Sequence, residues 1–186
     1  MGFIKNNLLN LTSIFLDRDG VINKDTGYVG YWKDFIFLDG VLETLKLLTK
    51  KNIKIIIITN QSGIARGLFS LKDYKKLTQS LKTCLLNNEI NITDIYFCPH
   101  HPEGKIKKYT KICDCRKPGP GMFFKAINDH KIDVRTSAMV GDNISDIEAA
   151  FRAGIKKNYL INKNKFVDSH LKFVSMNTLK DILKFM

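Results

Sequence analysis

Long apolar runs, acidic residues, prolines and cysteines are what this chain has least of. Its longest unbroken aliphatic run is Ile55-Ile56-Ile57-Ile58, far short of the roughly 20 apolar residues of a spanning helix, so no membrane partner is expected. The leading stretch Met1 to Leu11 carries a lysine and several asparagines but no long apolar core. No cleaved signal is therefore expected, and the cytoplasm is the expected compartment. Asp and Glu number 18 against 30 Lys and Arg, a formal net charge of +12. That balance admits nucleic acid, an anionic membrane or a phosphorylated substrate. The lysines (Lys46, Lys50, Lys51, Lys72, Lys75, Lys76, Lys105, Lys107 and Lys108 among them) are dispersed along the chain, which fits solvated helix faces better than a nucleic-acid stripe. With 4 prolines, no Pro/Gly/Ser-rich linker and no internal repeat, nothing divides the 186 residues. One domain over 1–186 is expected, and as a monomer, since nothing marks an interface. Of 4 cysteines, three (Cys98, Cys113, Cys115) share one segment. Thiols stay reduced in the cytoplasm, so the cluster points to a metal rather than a disulfide. Cys84, alone in a helical pattern, reads as a small buried apolar residue.

What the chain does have is a series of apolar runs that end in polar clusters. Ser13-Ile14-Phe15-Leu16 runs into Asp17-Arg18-Asp19-Gly20. A short apolar run bounded by turn residues predicts a buried strand. In open parallel sheets, ligands bind beyond the carboxyl ends of the strands. Two carboxylates one residue apart repel unless a cation lies between them or one is protonated. The pair therefore invites a divalent metal, with one carboxylate as nucleophile and the other as acid/base. Gly20 lets the chain turn sharply. The polar and aromatic stretch Val21 to Phe37 follows directly, so Asp25, Thr26, Gly27 and Tyr28 are positioned to shape a pocket.

Val41 to Lys50 predicts a helix, and Ile53 to Thr59 a central parallel strand with apolar residues on both faces. The strand ends in Thr59-Asn60-Gln61-Ser62-Gly63, where hydroxyls and backbone N–H groups can hold an anion. Leu71 to Asn88 predicts a helix capped by Ser70. Ile95-Tyr96-Phe97 predicts a third strand, leading into Cys98-Pro99-His100-His101-Pro102, a lysine-rich loop and Cys113-Asp114-Cys115. Two close Cys/His pairs around a loop predict a zinc site on loop 98–115 with Cys98, His100, Cys113 and Cys115 as ligands. His101 is the competing imidazole, read as lying behind the ligands or facing solvent. Arg116 and Lys117 precede a helix over Met122 to His130, a good place for an anion. Ser137 to Val140 predicts a fourth strand ending in Gly141-Asp142-Asn143-Ile144-Ser145-Asp146, and Asp142 can complete a magnesium site with Asp17 and Asp19. Lys157 to Ile161 predicts a fifth strand, and Asn177 to Phe185 a closing helix. The fold class expected is α/β: a Rossmann-like open parallel sheet with helices on both faces, no large cap domain and a zinc-stabilised loop.

In this order, Asp17-x-Asp19, Thr59, Lys117 and Gly141-Asp142-x-x-x-Asp146 resemble the haloacid dehalogenase superfamily of phosphatases over nearly the whole chain. The strings Asp17-Arg18-Asp19-Gly20, Thr59 to Gly67, Cys98 to Pro102 and Cys113 to Pro118 look like the D-glycero-D-manno-heptose 1,7-bisphosphate 7-phosphatase group. Histidinol-phosphate phosphatases are close relatives, and nucleic-acid 3′-end phosphatases are similar around Thr59 to Gly67. The resemblance implies an aspartyl-phosphate mechanism in nucleotide-activated heptose biosynthesis, the route to lipopolysaccharide, capsule or S-layer precursors. It implies Asp17 as nucleophile and Asp19 as acid, then base. It implies magnesium on Asp17, the Asp19 backbone carbonyl and Asp142, with Thr59 and Lys117 stabilising the transferring phosphoryl group. Arg116 would recognise a small sugar bisphosphate, with Asp25 to Tyr28 and Thr59, Asn60, Gln61 and Ser62 lining the pocket. Relatives often carry Lys where this chain has Asn143, a departure at a substrate position. The rival of another class is a basic, zinc-containing nucleic-acid-binding module. It leaves Asp17, Asp19 and Asp142 unexplained, so no nucleic-acid partner is expected.

Overall fold

A computed structural model describes residues 11–161 and 170–186. Residues 1–10, which hold most of the stretch from which no signal is expected, lie outside the described residues. Six parallel strands form one sheet: β1 (Ser13–Leu16), β2 (Lys54–Asn60), β3 (Asp94–Cys98), β4 (Ser137–Gly141), β5 (Lys157–Ile161) and β6 (Val174–Met176). Their order across the sheet is β3-β2-β1-β4-β5-β6. β1 therefore lies where the chain's winding reverses, with β2 on one side and β4 on the other. Such a switch point opens a crevice beyond the strand ends.

Side chains alternate across a strand, and each face is covered. Ile14, Leu16, Ile55 and Ile57 pack on one face with Val41, Leu45 and Leu48 of α1 (Val41–Lys50). Leu77, Leu81 and Leu85 of α3 (Leu71–Asn87) join the same cluster. Phe15, Ile56, Ile58 and Met139 point the other way. They meet Met122, Phe123 and Ala126 of α4 (Gly121–His130), and Ala149 and Ala150 of α5 (Ile144–Arg152). The four-residue α2 (Gly63–Arg66) follows the β2 tip. Ser70 caps α3 through a reciprocal bond pair with Asp73, as expected. The sheet thus has the Rossmann-like form that the sequence predicts.

Two elements differ from expectation. The chain end forms a sixth strand, β6, which is only 3 residues long, too short to leave a periodic signal. The closing helix is a 3-10 helix over Leu179–Phe185. Of its residues, Leu179 and Ile182 are buried, three positions apart, which is the 3-10 repeat.

Candidate active site

The tips of β1, β2 and β4 and the loop before α4 converge on a cleft of about 550 Å³. Five carboxylates line it (Asp17, Asp19, Asp25, Asp142, Asp146) against two cations, Arg116 and Lys117. Gly27, Tyr28, Asn60, Gln61, Ser62 and Asn143 line it too. Of the residues expected there, Thr26 is exposed and lies outside the lining, and Thr59 is buried beneath it.

Asp17, Asp142 and Asp146 each offer an oxygen within 4.8 Å of the others. Close approach of this kind needs room, and Gly20 provides it. Its φ is +82°, and a Cβ there would lie 1.9 Å from Asp142 Oδ2. Burial holds the Asp17 carboxyl well above the ordinary range; Lys117 draws it down, while Asp146, Asp142 and Asp19 push it up. Burial, then Asp146, raises Asp142 to about 7. Three crowded carboxylates are a donor set for a hard divalent cation, which takes oxygen ligands and keeps open positions for water or phosphate. The residues fit such an ion.

Lys117 is the cation already in place. Its buried Nζ donates to Asp17 Oδ1 at 2.7 Å and to the Ile58 carbonyl at 2.8 Å, and lies 2.6 Å from Asp146 Oδ1. Burial works against its charge, but Asp146 and Asp17 outweigh that and hold the ammonium protonated far above the ordinary lysine range. The backbone of Lys117 is gripped by Asn60, whose Nδ2 donates to the Lys117 carbonyl while its Oδ1 accepts from the Lys117 N–H, both at 3.1 Å. Asn60, which lines the cleft as a pocket residue should, also ties the end of β2 to the loop.

The Asp19 carboxylate does not join the three-carboxylate group. It accepts from Arg18 at 2.9 Å, Asn23 Nδ2 at 2.9 Å and Gln61 Nε2 at 2.9 Å. Gln61 Nε2 also donates to Thr59 Oγ1 at 2.8 Å. Asn143 spends its side-chain oxygen on the Ser145 N–H, capping α5. Asp146 is the residue that sequence reasoning quoted without giving it a task. Its Oδ2 accepts from the Asn143 N–H at 3.1 Å, which leaves Oδ1 for Lys117. The Asn-x-x-Asp spacing of a capping box was the available signal, since it fixes that carboxylate at the helix start.

Beyond β3, Cys98, His100, Cys113 and Cys115 come together as expected. The three sulfurs are 3.1 to 3.5 Å apart, and His100 Nδ1 lies 3.2 to 3.7 Å from them. Three sulfurs and an imidazole nitrogen within these distances form a compact four-donor group, a donor set consistent with a zinc site. The three cysteines are free thiols. Burial pushes the Cys98 thiol well up. His101 turns away from the group: its Nε2 lies 3.0 Å from Arg66, and its Nδ1 accepts from the Glu103 N–H. The loop is tied to α2, where the Lys105 and Ile106 N–H groups donate to the Ala65 carbonyl.

Residues 14–180 match the family model described as polynucleotide kinase 3 phosphatase. A Yersinia pestis protein named D-glycero-beta-D-manno-heptose-1,7-bisphosphate 7-phosphatase is 39% identical over 178 residues, 94% of this chain and 95% of that one. A Haemophilus influenzae protein of the same name is 45% identical, covering 82% of this chain and 83% of its own. Among solved structures, a D,D-heptose 1,7-bisphosphate phosphatase from B. bronchiseptica, complexed with magnesium and phosphate, superposes with a TM-score of 0.81 at 29% identity. That match covers 94% of this chain and 99% of the other. A putative haloacid dehalogenase-like phosphatase from Mesorhizobium loti gives 0.83 at 27% identity, covering 94% of this chain and 84% of the other.

Proposed function

The chain belongs to the heptose-bisphosphate phosphatase group of the haloacid dehalogenase superfamily, and from that membership we propose that it removes the 7-phosphate of D-glycero-D-manno-heptose 1,7-bisphosphate. The observation that carries the chemistry is the Lys117 ammonium set between Asp17 and Asp146 at the edge of a three-carboxylate group.

In the proposed reaction, an Asp17 oxygen attacks phosphorus. The bond from phosphorus to the sugar oxygen breaks with its electron pair, and that oxygen takes the proton of Asp19. The Asp19 carboxylate then takes a proton from water as the water oxygen bonds to phosphorus. The bond to Asp17 breaks, its electrons return to the carboxylate, and inorganic phosphate leaves. Asp19 is protonated again for the next cycle. Lys117 is fixed before substrate arrives, so it stabilises charge on the phosphoryl oxygens without reorganising. Magnesium, held by Asp17, Asp142 and the Asp19 backbone carbonyl, with Asp146 close by, would offset the acidic lining and stabilise charge on the transferring group. Five carboxylates against two cations repel a phosphate on their own. The magnesium in the B. bronchiseptica relative supports this part.

Arg116 is the proposed recogniser of the second phosphate, supported by its place in the lining and by an Nη1 that is buried without a partner. Asp25, Gly27 and Tyr28, which line the same cleft, would contact the sugar. The β anomer is the proposed substrate, as the relatives' names have it. The Cys/His group holds zinc in this reading, with free thiols suited to a reducing cytoplasm. The product would feed nucleotide-activated heptose for lipopolysaccharide or related polymers, and the enzyme would act as a monomer. A polynucleotide 3′ end is a second reading, favoured by the family model; the acidic lining opposes an adjoining phosphate backbone.

The test is phosphate release with magnesium from both anomers of the heptose bisphosphate, histidinol phosphate and a 3′-phosphorylated oligonucleotide. The β heptose should give the highest kcat/KM. Preference for any of the others by tenfold or more would overturn the substrate assignment.

A further inference from the structure

Among the described residues, Arg18 is the largest fully buried side chain, at 1% exposure. A guanidinium is always charged, and burying one is costly unless its donors are met. This one is met unevenly. Its Nη2 donates to both oxygens of Asp19 at 2.9 Å, to the Val29 carbonyl at 2.7 Å and to Gln61 Oε1 at 3.4 Å, and its Nε donates to Asp19 Oδ1 at 3.3 Å. Nη1 has no partner. The group lies between the Phe35 and Tyr74 rings, 5.9 Å from each centroid. Beside these two aromatic walls, most of its hydrogen bonds go to Asp19.

A residue kept only to tie loops together would do better as a neutral side chain here, since a buried ion pair often stabilises less than well-packed apolar groups. The arrangement has a different product. Asp19 is separated from Asp17 by one residue, and Asp17 belongs to the three-carboxylate group, yet the Asp19 carboxylate stands outside that group. Arg18 holds it from one side. Gln61, itself oriented by Thr59 Oγ1 and Arg18, holds it from the other.

We propose that Arg18 and Gln61, with Asn23 as a third contact, form a clamp that positions Asp19, holding its carboxylate off the cation in one fixed place from which it exchanges a proton with the leaving oxygen and with water. The proposal rests on the reading of Asp19 as acid and base. Arg18 is a positioning residue: it acts through Asp19 and does not touch substrate.

A double-mutant cycle separates this role from a structural one. The variants are Arg18→Lys, Asp19→Asn and their combination, with Gln61→Leu alone and with Asp19→Asn as a second cycle should Arg18→Lys not fold. Each is assayed on the heptose bisphosphate, and for the burst of p-nitrophenolate from p-nitrophenyl phosphate, whose leaving group needs no proton. Arg18→Lys should lower kcat on the sugar about tenfold to a hundredfold, part of the roughly hundredfold to ten-thousandfold that acid–base catalysis supplies, with KM within about twofold. The burst rate should change less than about threefold. In the Asp19→Asn background, the same substitution should cost nothing more. An equal loss with and without Asp19, or an equal loss in burst and sugar turnover, would make Arg18 a strut and overturn the clamp. If Asp19→Asn by itself leaves sugar turnover unchanged, the acid/base reading falls and the clamp falls with it.

Discussion

Asp17, Asp142 and Asp146 reach one point from two strand ends and a helix start, separated by more than a hundred positions in sequence. Cys98, His100, Cys113 and Cys115 reach theirs from the two ends of a single loop. The first group is hard, crowded and incomplete, with a lysine already pressed into it. The second is soft and closes on itself with four donors. An open donor set suits turnover because it leaves positions for phosphate and water. A closed set suits holding a loop that has no apolar core of its own. Lys117 joins them: it follows Cys115 by two residues, and its Nζ reaches Asp17.

The largest test of the contrast is Asp17→Asn. Phosphate release should fall by more than about ten-thousandfold, as for loss of a nucleophile, while the melting temperature holds. Retained turnover would mean that the crowded group is not the reacting centre. Gly20→Ala comes next. Its Cβ would meet Asp142 Oδ2 at 1.9 Å. Displacing that carboxylate by about 1 Å should cost about a hundredfold in kcat, with little change in the Cys/His group's metal content. Cys113→Ala, or chelation, works on the other group. Metal should be lost and proteolysis within Lys105–Lys111 should rise. Activity should fall about tenfold through slackened placement of Lys117. Unchanged proteolysis would show that the four donors do not hold the loop.

The smallest effect is in pH. Asp142 has a folded pKa of about 7, above its ordinary 3.8. The folded, metal-free protein therefore holds a proton that the unfolded chain has released between those values. Its contribution to stability is fully present below about pH 4 and is lost as pH rises toward 7. Added magnesium should raise the melting temperature more at pH 8 than at pH 5. An equal gain at both would remove Asp142 from the cation's surroundings.

The strand ends were legible because each joins an apolar run to a polar cluster, and such joints need no tertiary information. The cluster from Cys98 to Cys115 was legible for a related reason: its four donors are spaced in pairs. The tasks of Asn60, Asp146 and Gln61 were not, because each is decided by a partner from another element. Asn60 lines the cleft, and its second task, gripping the Lys117 backbone, depends on a loop far along the chain. Gln61 turns toward Asp19 and Thr59 rather than toward open solvent. β6 escaped because three residues carry no period.

β1 is bonded along both edges, and Ile14, Phe15 and Leu16 have no exposed surface. Partial fraying begins at edges and termini, so it reaches the Asp17 end of β1 only by opening the sheet. Heat inactivation should therefore follow the melting curve rather than precede it. Amide exchange at Phe15 should report the protein's full unfolding free energy, and recovered turnover can count the refolded molecules in a preparation.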